Sequence, residues 1–135
     1  MGDRGGEKNG CGPVRRFEDL QAWKGARKMV SAVYQSCRSE RVRRDFGFCD
    51  QLQRAAVSVM TNIAEGFERE HVREKLQFYN IARASIGEVR SLLYVLSDNY
   101  PDLSEQAASL REEAIRIGRM LTGLIRSTKR RLTTS

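Results

Sequence analysis

The chain is poor in several residue types that carry chemistry or staple small folds. It has one histidine, His71, and three cysteines, Cys11, Cys37 and Cys49, in 135 residues. An odd number of widely spaced cysteines without a C-x-x-C pair excludes a closed disulfide framework and a thiolate zinc site, so three reduced thiols are expected. No histidine is placed to activate Ser58, Ser85 or the thiols, which leaves nucleophilic catalysis without its base. The glycine patterns of phosphate-cradling and dinucleotide-binding turns do not occur. Long apolar runs are missing too. No stretch approaches the length of a membrane span and the N-terminus lacks the apolar core of a secretory signal, so a cytoplasmic protein is expected. These absences together read as a non-enzymatic protein with no cofactor and no metal.

One fragment invites a metal reading. Glu68 and His71 form an E-x-x-H, the ligand pair of di-iron bundles, but such a site needs two copies and two more carboxylates projecting from helix interiors. Here a single copy sits at a turn, so His71 reads as a solvated residue at a helix start.

What is abundant is positive charge. The net charge is +7, and 19 of the 24 basic residues are arginine. Arginine forks suit phosphate, which points to nucleic acid, yet a GC-rich genome enriches arginine without any ligand. The choice rests on where the arginines fall.

Met1 to Gly12 holds five glycines and no apolar period, so residues 1–16 read as a disordered leader before a domain over 17–131, with 132–135 as a tail. Leu20, Trp23, Ala26, Val30, Val33 and Cys37 recur at helical steps and predict a first helix over about Glu18 to Cys37. Arg38 to Asp45 reads as a polar connection. A second helix starts near Phe48 to Asp50, with Asp50 as its cap, and ends at Gly66 in the left-handed conformation glycine tolerates. The third spans about Val72 to Asp98. Its apolar arc is wide, because Phe78, Leu92 and Tyr94 spread beyond the stripe of Leu76, Tyr79, Ile81, Ala82, Ile86, Val89, Leu93 and Leu96 expected inside, and this predicts burial against a second subunit as well as the bundle. Tyr100-Pro101-Asp102 breaks the chain, with Asp102 and Glu105 spaced as a capping box. Leu103, Ala107, Leu110, Ala114, Ile117, Leu121, Leu124 and Thr128 then alternate four- and three-residue steps, the seam of a left-handed bundle. Four helices with short connections predict an all-α, antiparallel up-down-up-down four-helix bundle.

The segment from Ala55 to Phe67, with Arg54 before it, resembles that of the four-helix-bundle family first met as proteins encoded in intervening sequences of bacterial 23S rRNA genes. Phe17-Glu18-Asp19-Leu20 with Trp23 is similar to the family's opening, and Phe78 to Ser85 to its third-helix segment. The likeness covers roughly Phe17 to Leu124. Met60 stands where many members have proline and Ala84 where many have glycine, which removes a helix kink and a close backbone approach. His71 lies where relatives carry a serine-like cap. The resemblance implies a ring-shaped homo-oligomer, typically a pentamer. Similar accessory proteins of diversity-generating retroelements imply, by analogy of fold, a reverse transcriptase as partner.

Two polar stripes are candidate sites. Arg54, Ser58, Asn62 and Glu65 lie along one side of the second helix, and pairing across Gly66 brings Arg54 level with Arg83 and Ser85, with Glu88 a turn beyond. This set reads as a buried or half-buried network that fixes helix register or joins subunits. On the fourth helix Arg116, Arg119, Arg126 and Arg130 face away from the leucine seam over about 21 Å. Arg15 and Arg16 are expected to approach Arg126, Lys129, Arg130 and Arg131. Two readings of this basic set stand: phosphate binding, or ordinary complementation of a helix C-terminus by solvated charge. The function read from them is RNA or DNA binding by phosphate contacts, and the alternative is a protein-interaction scaffold. Trp23, Phe78, Tyr79 and Tyr94 sit in core-like patterns and are expected to pack and not to stack on bases.

Overall fold

The computed structural model describes residues 13–134, so the expected leader over Met1 to Gly12 lies outside the described residues. Among these residues there are four α-helices and no strand: α1 (Gln21–Cys37), α2 (Phe46–Glu68), α3 (Val72–Asn99) and α4 (Ser104–Thr134). Short 3-10 turns, Phe17–Asp19 and Pro101–Leu103, precede α1 and α4. Each helix packs on the next, and α4 returns to α1.

The core follows the helical spacing of the apolar residues. Met29 and Val33 of α1, Leu52, Val59 and Ile63 of α2, Val89, Leu93 and Leu96 of α3, and Ile117 and Leu121 of α4 are all withdrawn from solvent. Past Leu121 the seam steps to Ile125 and then Thr128, leaving Leu124 half-buried where it was expected inside. Helix α4 continues through Thr134, beyond the expected domain end at Arg131.

Several ends differ from expectation for identifiable reasons. Helix α2 begins at Phe46, and its cap is Asp45: one carboxylate oxygen accepts from the Phe48 backbone N–H at 3.4 Å, while the other accepts from the Tyr100 hydroxyl at 2.9 Å. Asp50 instead pairs with Arg54 along the helix surface. The connection before α2 contains an apolar plug, Val42, which is fully buried and whose carbonyl accepts from the Cys49 thiol. Asp102, in the short turn before α4, has a partner from elsewhere in the chain. Its carboxylate pairs with Arg41 at 3.0 Å, tying the α1–α2 connection to the turn before α4.

Gly66 is helical and not a left-handed cap, since α2 runs two residues past it to Glu68. A Cβ there would lie 2.6 Å from Tyr79 Cε1 and 2.8 Å from Cδ1. Glycine is required because the Tyr79 ring of α3 is laid against the α2 backbone. Helix α3 then starts at Val72, preceded by His71 in the cap position, whose side chain makes no capping bond.

Candidate nucleic-acid interface

Helix α2 carries the polar stripe expected of it, but only half of that stripe closes into a network. The Ser58 hydroxyl lies 2.9 Å from that of Ser85 across the α2–α3 contact, and the Asn62 amide donates to both the Ser58 hydroxyl and the Ser58 carbonyl, at 3.1 and 2.8 Å. These half-buried polar groups satisfy one another, as burial demands. Arg54 and Glu65 stay on the outer surface, where they pair with Asp50 and Arg69 one turn away. Arg83 faces α4, donating to Asn80 and reaching Thr122, and Glu88 is exposed. The expected link of Arg54 to Arg83, Ser85 and Glu88 is therefore not formed, because Arg54 is engaged by Asp50 of its own helix and Arg83 by Asn80 and Thr122.

A buried cation went unread in the sequence. Lys75 is only 8% exposed, and its ammonium donates to the Phe67 carbonyl at 2.7 Å and the Gly66 carbonyl at 3.4 Å. It thereby satisfies carbonyls that the end of α2 leaves without helical partners. Burial is the main force holding its pKa below the ordinary lysine value, the positive charge of Arg131 adds to it, and Glu68 opposes.

The basic residues have different partners. Arg15 and Arg16 precede the first 3-10 turn, where the Asp19 carboxylate accepts from both their backbone N–H groups, at 3.1 and 3.2 Å. Those bonds, the Arg15 one foremost, hold the Asp19 carboxyl below its usual pKa. The Arg16 side chain lies near Glu18 and Asp19 and lines a shallow hollow with Trp23, Lys24, Arg27 and Lys28. Arg116 is paired with Glu113. Lys129, Arg130 and Arg131 are exposed on the last turns of α4.

Arg119 and Arg126 do something different. They stand on one wall of an open groove of about 540 Å³ between α3 and α4, and Arg83 and Arg90 stand on the other. Each pair is seven residues apart, two helical turns, so both members of a pair point the same way and lie about 10 Å apart along the helix. Between the members of each pair is a glycine, Gly87 on α3 and Gly123 on α4, and Gly118 with Ile86 and Ile115 completes the lining. None of the four arginines forms an ion pair among the described residues, whereas Arg16, Arg41, Arg43, Arg54, Arg69 and Arg116 all do.

The glycines are informative because packing does not call for them. A Cβ at Gly87 or Gly123 would meet nothing within 4 Å. Glycine inside a helix costs about 1 kcal/mol relative to alanine, so two bare positions flanked by unpaired arginines keep the groove floor open at a cost in stability. Sequence spacing alone showed Arg119 and Arg126 as one stripe and assigned Arg83 elsewhere. The seven-residue repeat of Arg83 and Arg90 was the available signal, but it becomes a site only when α3 and α4 are brought together.

Chemically the groove offers guanidinium forks at four corners, with the Thr122 hydroxyl between them. Among the described residues no cluster of three or more histidine, cysteine, aspartate or glutamate side chains could hold a metal ion, and no helix is long and apolar enough to cross a membrane. No match to the chain was found among curated proteins. Residues 18–123, which take in α1 to α3, the first two-thirds or so of α4 and the groove lining apart from Arg126, match the family model of the 23S rRNA-intervening sequence protein, and the chain belongs to that family.

Proposed function

We propose that this protein is a non-enzymatic accessory factor that binds RNA or DNA through phosphate contacts in the α3–α4 groove. The observation that carries the reading is the convergence of Arg83, Arg90, Arg119 and Arg126, none of them ion-paired, around a glycine-lined floor. Guanidinium groups at such corners match phosphate oxygens and leave base identity unread, so binding is expected with little sequence preference.

The same reading takes the bundle as antiparallel up-down-up-down. Ser58 meets Ser85 while the later Gly66 and Phe67 meet the earlier Lys75, and Arg83 reaches Thr122 while Tyr94 meets Arg111, so progress along one helix is retreat along the next. It also takes the working form as a homo-oligomer, the ring or pentamer implied by family resemblance, with a reverse transcriptase as partner by analogy. Ile81 and Val95, exposed on the outer side of α3, support a contact there between copies. Tyr79 and Leu92, by contrast, are spent inside the single chain.

Fluorescence anisotropy with a mixed-sequence oligonucleotide tests the groove. Four phosphates neutralised on a single strand predict a slope of about −2.8 in log affinity against log salt, roughly a fifty-fold loss between about 50 and 200 mM. Replacing the four groove arginines with glutamine should flatten that slope. The same replacement at Arg38, Arg44, Arg54 and Arg73 should leave most of it. Equal losses in both variants would make the affinity a matter of net charge, and no binding by the parent at low salt would transfer the protein to the interaction-scaffold class.

A further inference from the structure

Tyr94, outside the lining of the groove, is not packed as its place in the apolar pattern suggested. It lies on α3 four residues beyond Arg90, and 54% of it is exposed. Arg111 of α4 lies over its ring, with the guanidinium carbon 4.2 Å from the ring centroid. Arg111 itself is half-buried, and its Nη1 is enclosed without a hydrogen-bond partner. A guanidinium committed to an aromatic face, at the expense of a hydrogen bond, fixes the ring as a plate at the rim.

Resting on the phosphate reading above, we infer that the groove takes a single-stranded nucleic acid, with Tyr94 as the platform on which one of its bases stacks. Arg83, Arg90 and Tyr94 follow one another along the same side of α3 over about 16 Å, which places a phosphate track and a stacking surface in line. Stacking of this kind tolerates any base, because every base has a π-face, and the Arg111 cation beneath the ring strengthens a ring–base sandwich. Duplex ends aside, paired strands keep their bases inside the helix and have no use for such a plate. RNA and DNA single strands share the chemistry, and the two are separated by measurement.

The test compares labelled single-stranded RNA, single-stranded DNA and the corresponding duplex, each of about a dozen nucleotides, within the range of single-strand site sizes. The parent should bind either single strand more tightly than the duplex. Tyr94→Ala should weaken single-strand binding by about 5- to 150-fold and bring it close to the duplex value. Tyr94→Phe should retain the parent affinity, and Tyr34→Ala, the loss of an exposed tyrosine on α1, should have no effect. In Tyr94→Trp the added indole emission should fall on binding, with Trp23 as a buried background. Equal duplex and single-strand affinities, or an unchanged Tyr94→Ala in the face of a loss on replacing the groove arginines, would overturn the inference and leave the phosphate reading intact. A parent that binds neither form removes both.

Discussion

Replacing Gly66 with alanine should destabilise the bundle, although alanine is the better helix former. The new methyl carbon would sit 2.6 and 2.8 Å from two carbons of the Tyr79 ring and 3.1 Å from Phe78 Cβ. Tyr79 is 2% exposed and rigid in the plane of its ring, so the strain cannot be relieved by swinging a flexible tip into solvent. Overpacking of this kind costs about 1–3 kcal/mol, and contact with two ring atoms places it in the upper part of that range. The helix propensity regained is about 1 kcal/mol. The expected net loss is about 1–2 kcal/mol, measured by urea unfolding followed by circular dichroism with an unchanged m-value. Gly87→Ala is the paired measurement, because open space at that Cβ predicts a gain of about 0.5–1 kcal/mol from propensity alone. In a Tyr79→Leu background the Gly66→Ala penalty should shrink, giving a coupling of about 1 kcal/mol or more. A penalty that persists without the ring would mean a backbone requirement at Gly66 instead of ring contact. A Gly66→Ala variant as stable as Gly87→Ala would refute the packing argument outright.

Lys75→Met should cost about 1.5–3 kcal/mol, since the Gly66 and Phe67 carbonyls lose a charged donor at a helix end; urea unfolding reads it, and a neutral result would show those carbonyls hydrated. Burial, aided by a hydrogen bond with Cys49, pushes the Cys37 thiol from its ordinary 9.0 up to about 12. The folded chain thus stays protonated where the unfolded chain ionises, so this contribution is complete below pH 9 and is lost as pH rises toward 12; Cys37→Ala should flatten the alkaline decline in stability. Asp45→Ala removes the α2 cap and should cost about 1–2 kcal/mol. The same change should return the Tyr100 pKa toward its ordinary value, because the hydrogen bond to Asp45 is the first cause of its elevation; tyrosinate absorbance checks this.

The helices were legible because their apolar residues repeat at helical steps over long stretches, and the break at Tyr100–Pro101 is a strong local signal. Ends were less legible. Phe46 opens α2 while remaining exposed, so it interrupts the apolar pattern and hid the role of Asp45 one residue earlier. Lys75 reads as a surface residue in any pattern argument; its burial follows from the end of α2, whose free carbonyls are supplied by the chain eight and nine residues before it. Tyr94 erred in the opposite direction, since its spacing suited a core and its Arg111 partner comes from another helix. Of the candidate site, Arg119 and Arg126 were visible as a stripe, but Arg83 and Arg90 join them only through the packing of α3 on α4.

The four groove arginines also couple the bundle's stability to the ions around it. On the phosphate reading, four like charges held about an open floor, with no carboxylate among the lining residues, give the folded chain an anion site that the unfolded chain lacks. Any polyanion seated there adds to folding stability by mass action, about 2.7 kcal/mol at a hundred times its dissociation constant. For a chain of this size that is a rise of several degrees or more in melting temperature. The melting temperature is then a gauge of how full the groove is, and the same protein will register as two different stabilities in chloride and in the presence of its ligand.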